Sequence, residues 1–126
     1  MAAITFTPRA VRLANTHNVL TRTRPLAGPL GVGQTAMMDA EGRWLVADGT
    51  TRTFGIVIGI SDGRLEGDVG DDAEVLMEGI VAGYDVEPND VASQSATDGT
   101  LDDAGTTEQI IAVGMNDGLL YVRPAL

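Results

Sequence analysis

The chain has no cysteine and no lysine, one histidine (His17) and only five aromatic residues among 126. Without cysteine there are no disulfides and no thiolate metal sites. That composition fits a protein made in a reducing cytoplasm. With Phe6, Trp44, Phe54, Tyr84 and Tyr121 as the only aromatics, the core has to be built mainly from Val, Ile, Leu, Ala and Met. His17 sits between Thr16 and Asn18, where a surface or capping role is the stronger reading. No apolar run approaches the roughly 18 residues of a membrane-spanning helix. Arg9 and Arg12 follow a short, mild run instead of preceding a long apolar one, so no signal peptide is expected.

Acidic residues are missing from one end. Residues 1–38 hold Arg9, Arg12, Arg22 and Arg24 and no carboxylate, a formal +4. The remainder holds four arginines against eighteen carboxylates, a formal −14. An acidic body repels nucleic acid and anionic membrane, so neither is an expected partner. A basic segment on such a body either docks on another molecule or covers the body itself. These four arginines are the candidate contact residues.

What is present is a chain of short β-prone runs cut by turns. Residues 1–33 read as an extended N-terminal arm: Ile4–Thr7 and Asn18–Thr23 suit short strands, and Pro25, Gly28, Pro29, Gly31 and Gly33 then break regular structure. Residues 34–126 read as a β domain with two related units, 34–60 and 86–124. The first has a strand at Thr35–Asp39, a turn at Ala40–Gly42, a return strand at Arg43–Val46 and a buried run at Phe54–Ile60. In the second, Asp90–Ser93 parallels Thr35–Met38 and Asp98–Leu101 parallels Glu41–Trp44. Gly105-Thr106-Thr107 parallels Gly49-Thr50-Thr51, and Ile110–Gly114 parallels Ile56–Gly59. Between the units, Ala73–Tyr84 reads as one long strand bent near Gly79. Asn116-Asp117-Gly118 between Ile110–Val113 and Leu119–Val122 predicts a hairpin, because those residues tolerate the positive φ that tight turns need. The expected fold class is all-β, a small sandwich or barrel of short antiparallel strands.

Catalytic and metal-binding patterns are missing. There is no G-x-S-x-G, H-E-x-x-H, P-loop or G-x-G-x-x-G. Asp62, Glu66, Asp68, Asp71 and Asp72 do not follow the alternating spacing of a calcium loop, so 61–72 reads as a solvated acidic turn. The pairs Asp71-Asp72 and Asp102-Asp103 fall in stretches read as polar turns, where nothing would raise a carboxyl pKa. Met37, Met38 and Trp44 read as core or interface filler more than as a ligand pocket. No cofactor and no metal are expected, and the chain is not read as an enzyme.

The order of the runs carries a resemblance. Gly33-Gln34-Thr35-Ala36-Met37-Met38-Asp39, Gly42, Ala47-Asp48-Gly49-Thr50, Gly55-Ile56-Val57-Ile58, Glu78-Gly79-Ile80-Val81 and the ending Leu119-Leu120-Tyr121-Val122-Arg123-Pro124 are similar to small capsid decoration, or cement, proteins of tailed bacteriophages. Gln34 and Thr35 stand where that family carries Asp after Gly. The resemblance spans roughly residues 31–124. It implies a non-enzymatic virion protein on the outer capsid surface, made in the host cytoplasm. Such a protein binds the expanded capsid between capsomers and stabilises it. Its implied partners are the major capsid protein and sister copies, since many such proteins are trimers. The alternative reading is a phage fibre, tail or receptor-binding β module that recognises a host surface ligand.

Overall fold

A computed structural model describes residues 3–103 and 109–124 of the chain. Among them lie thirteen strands: β1 (Ala3–Ile4), β2 (Arg12–Leu13), β3 (Leu20–Pro25), β4 (Leu30–Gly31), β5 (Thr35–Met38), β6 (Trp44–Val46), β7 (Gly55–Ile60), β8 (Glu66–Gly67), β9 (Asp72–Ala82), β10 (Val91–Gln94), β11 (Leu101–Asp103), β12 (Ile110–Gly114) and β13 (Leu120–Val122). Two single-turn 3₁₀ helices, Pro8–Ala10 and Ser61–Gly63, are the helical residues among those described. The fold is all-β, and its main sheet is antiparallel and curls into a half-barrel.

Strand β9 organises that sheet. Along its first half it pairs with β3 and β7, and along its second half with β2 and β13. It is the long bent strand expected for this stretch. Its pairing with β3 slips by one residue between Glu78 and Leu76, and Gly79 takes a φ of 152°. From β9 the sheet continues one way through β7, β5 and β6, and the other way through β13, β12, β10, β11 and β1. A parallel bridge from Leu26 to Trp44 ties the end of β3 back to β6. Strands β4 and β8 form a separate two-stranded sheet.

The two wings of β9 have the same local topology. In one, β5 lies between β6 and β7; in the other, β10 lies between β11 and β12. Trp44 and Leu101 open the return strands, both buried, after turns whose Gly42 and Gly99 have φ of 76° and 72°. The register pairs Met38 with Trp44 and Gln94 with Leu101. Val91–Gln94 therefore answers Thr35–Met38, one residue later than the sequence reading, because the second turn is longer. Gly105-Thr106-Thr107, read as the counterpart of Gly49-Thr50-Thr51, lies outside the described residues.

Residues 3–33 are extended, but they are wrapped onto the body. β1 pairs with β11, β2 and β3 run along β9, and β4 pairs with β8. The Thr7 N–H donates to the Gly83 carbonyl (3.1 Å) and the Asp85 N–H to the Thr5 carbonyl (2.9 Å). Ile4, Val11, Leu26, Leu30 and Val32 are buried in the same core as Ile56, Val75, Leu76, Val81 and Leu120. Each such side chain contributes about 1.5–3 kcal/mol when removed from water, which ties the segment to the body.

The wings meet at a buried polar seam. The Gln109 amide pairs with the backbone of Thr53, accepting from its N–H at 2.7 Å and donating to its carbonyl at 2.9 Å. The Thr53 hydroxyl donates to Gln94 Oε1 (2.9 Å), and the Gln94 amide nitrogen donates to the carbonyls of Ser95 and Thr100. The Gly99 N–H donates to Ala47 O (2.8 Å), and the Thr35 N–H to Gly99 O (3.1 Å).

Candidate functional site

The alternation Thr21-Arg22-Thr23-Arg24 in β3 sends Arg22 and Arg24 to one side of the strand. Together with Met38, Gly42, Phe54 and Met77 they line a cleft of about 280 Å³. Met38, Phe54 and Met77 give it an apolar floor, packed against the core. Arg24 Nε donates to the Gly42 carbonyl at 2.9 Å, which fixes that guanidinium, while Arg22 stays exposed. Among the described residues no carboxylate lines the cleft. A guanidinium fork above an apolar floor suits a carboxylate with an apolar neighbour, because the fork matches carboxylate geometry and is only weakly hydrated.

The structure separates the four candidate arginines into two sets. Arg22 and Arg24 share the cleft; Arg9 is exposed on the turn Pro8–Ala10, and Arg12 is exposed on β2 opposite Ala82. Among the described residues none of the four makes an ion pair, whereas Arg43 pairs with Asp39 (2.9 Å), Arg64 with Asp71, and Arg123 with Glu78 (3.9 Å). Nothing in the sequence marks Phe54 or Met77 as site residues. Their runs carry strand signals alone, and nothing local marks a side chain that will meet β3 from across the sheet.

A second, larger concavity of about 790 Å³ lies between the leader and the separate small sheet. Phe6, Leu30, Val32, Val46 and Leu65 line it, with Glu66 and Asp98 among its polar residues. Its walls come from five separate segments, and the glycines and prolines near residue 30 read only as breakers of regular structure.

Three carboxylates are held in their ionised form by hydrogen bonds. Asp39 is held below its ordinary value of 3.8, chiefly by the Arg43 N–H and then by the Arg43 side chain and the Glu41 N–H. Asp48 is lowered mainly by the N–H and hydroxyl of Thr50, and Asp71 by the Asp68 N–H and Arg64. A general acid at neutral pH needs the opposite shift. Burial pushes the Tyr84 phenol far up, and its hydroxyl donates to the Gly33 carbonyl at 2.6 Å. His17 is exposed. Asp71 closes the turn that leads into β9 at Asp72, as the sequence indicated, whereas Asp102-Asp103 lie within β11 instead of a polar turn. Extended backbone with alternating side chains parts the carboxyls of Asp102 and Asp103. No group of three or more His, Cys, Asp or Glu among the described residues is placed to hold a metal ion. No helix among those residues is long and apolar enough to cross a membrane. No family model, curated protein or solved structure matches the chain.

Proposed function

We propose that the chain is a non-enzymatic structural protein of a phage virion. In this reading it binds the outer surface of the expanded capsid between capsomers, with the major capsid protein and sister copies as partners. The observation that carries the reading is the Arg22–Arg24 cleft. A chain of net charge −10 keeps two arginines away from its own carboxylates, over an apolar floor. That chemistry suits a carboxylate-bearing protein surface, while the overall charge disfavours nucleic acid. The order of strand and turn motifs that resembles decoration proteins supports the same reading. A ligand that binds the expanded shell in preference to the unexpanded one stabilises it by mass action.

The test mixes purified protein with bare expanded heads and with unexpanded shells, and counts bound copies. Saturable binding to expanded heads is expected, with at least about tenfold weaker affinity for Arg22→Glu/Arg24→Glu, a loss of about 1.4 kcal/mol or more. Equal binding to both shells, or none, overturns the reading. Deleting residues 1–30 is not a usable test, because it removes Ile4, Val11, Leu26 and Leu30 from the core.

The 790 Å³ concavity favours one second reading, a receptor-binding module of a fibre or tail. Phe6 beside Glu66, Gln34 and Asp98 gives an apolar surface with polar groups for a host ligand. Electron microscopy of virions separates the two: decoration gives many copies over the shell, and a tail module gives few at one vertex.

A further inference from the structure

A row of apolar side chains crosses four strands. Val91 on β10 lies opposite Val113 on β12, Val113 opposite Tyr121 on β13, and Tyr121 opposite Ile80 on β9. Directly opposed residues of antiparallel strands share a face. The flanking pairs Leu120–Val81 and Ala112–Val122 point the other way and are buried. Val113 and Tyr121 are each 39% exposed, and Leu20, opposite Glu78 at the margin of the row, is 55% exposed. Lone exposed apolar residues are ordinary; a row of neighbours on one sheet face marks a contact surface.

One end of this stripe carries two arginines. Arg12 lies opposite Ala82, two residues from Ile80 and on the same face. Arg123 is 73% exposed and reaches Glu78 only at 3.9 Å. At the other end Asp102 lies opposite Ser93, two residues from Val91 and on the same face, so Arg12 and Arg123 flank only the end formed by β9 and β13, beside Glu78.

The complement lies at the far end of β9. Val69 is the most exposed large apolar side chain among those described, at 63%. It stands in a turn with Glu66, Asp68 and Asp72 exposed around it. The turn is held in shape: the Val69 N–H donates to Asp68 Oδ1 (2.7 Å), and the Asp68 N–H to Asp71 Oδ2 (2.9 Å). From Asp72 to Ile80 is about 26 Å of strand at 3.3 Å per residue, too far for the turn to cover the stripe of its own chain.

The geometry points to a second copy of this chain as the occupant of the stripe. The Val69 turn of one copy seats on the Ile80–Tyr121–Val113 row of the next, its carboxylates facing Arg12 and Arg123. Two different surfaces make the contact head-to-tail, so it builds a closed ring or an open chain. The inference rests on the sister-copy part of the proposed function and gives that contact its surfaces; its test uses the protein alone, so it can fail while capsid binding stands.

Light scattering across a concentration series tests it, using the wild type, Val69→Asp, Tyr121→Asp and the double variant Arg12→Glu/Arg123→Glu. The wild type is expected to gain mass with concentration and to lose it as salt rises from about 50 to about 500 mM. Each variant alone stays monomeric where the wild type associates. An equal mixture of Val69→Asp and either stripe variant forms a one-to-one dimer and stops there, because one intact turn meets one intact stripe. The double arginine variant, changed only at exposed positions, carries the test if Tyr121→Asp fails to fold. A wild type that is monomeric up to about 1 mM, a contact weaker than about −4 kcal/mol, overturns the inference. So does association of Val69→Asp at the wild-type level, or a mixture that stays monomeric.

Discussion

Tyr84 and Gln109 hold this molecule together by different means. Tyr84 stacks at a tilt on Phe6 (5.4 Å) and donates its hydroxyl to the Gly33 carbonyl, joining the leader to the segment just past the end of β9. Tyr84→Phe keeps the ring contact and leaves that carbonyl without its donor, at an expected cost of about 1–3 kcal/mol. Gln109→Ala leaves both backbone groups of Thr53 unpaired at once, and should cost at least as much although Gln109 is only partly buried. Urea unfolding checks both: the midpoint should fall with the slope unchanged, because neither change alters the surface that unfolding exposes. A Gln109→Ala midpoint equal to wild type would show that water replaces the seam at no loss.

Among the elements, the C-terminal hairpin is the one most fully written in its own residues. Its strands pair as Ala112–Val122, Val113–Tyr121 and Gly114–Leu120, and Asp117 and Gly118 take φ of 59° and 74°. A side chain at Gly118 would also meet the Tyr84 carbonyl at 2.9 Å. Gly118→Val is therefore expected to cost more than about 1 kcal/mol and to lower the melting temperature before any binding assay changes. A stable variant that has lost only association would move the hairpin from scaffold to contact surface. Strand β9 was legible too, since Ile80-Val81 with Gly79 and Gly83 reads as a bent strand. The docking of residues 3–33 was not. Arg12 meets Ala82 and Arg22 meets Val75 across large separations in the chain, and such pairing depends on a partner strand that no local pattern reveals. The arginines stood out as candidates because acid is missing around them. Their split into a cleft and a rim came from the register, and a slip of one residue reverses every side chain of a strand.

At the scale of the whole molecule, the charge balance sets two opposite responses. Eighteen carboxylates against eight arginines repel one another in the compact state. Adding salt from about 10 to about 500 mM should therefore raise the unfolding midpoint even as it weakens head-to-tail association, because screening relieves the first effect and removes the attraction behind the second. Acid acts through named groups. Asp39, Asp48 and Asp71 accept hydrogen bonds in the folded protein and sit below 3.8. A carboxyl whose folded pKa is depressed contributes stability above the unfolded value and loses it as pH falls through the folded one. These three should thus cost nothing between about pH 7 and 5, and should destabilise the fold progressively below 3.8. Asp39→Asn removes one of them, so urea midpoints measured down to about pH 2.5 should fall less steeply for that variant than for the wild type. Parallel acid limbs would place the acid sensitivity elsewhere, and a midpoint that drops already between pH 7 and 5 would contradict the assignment of all three.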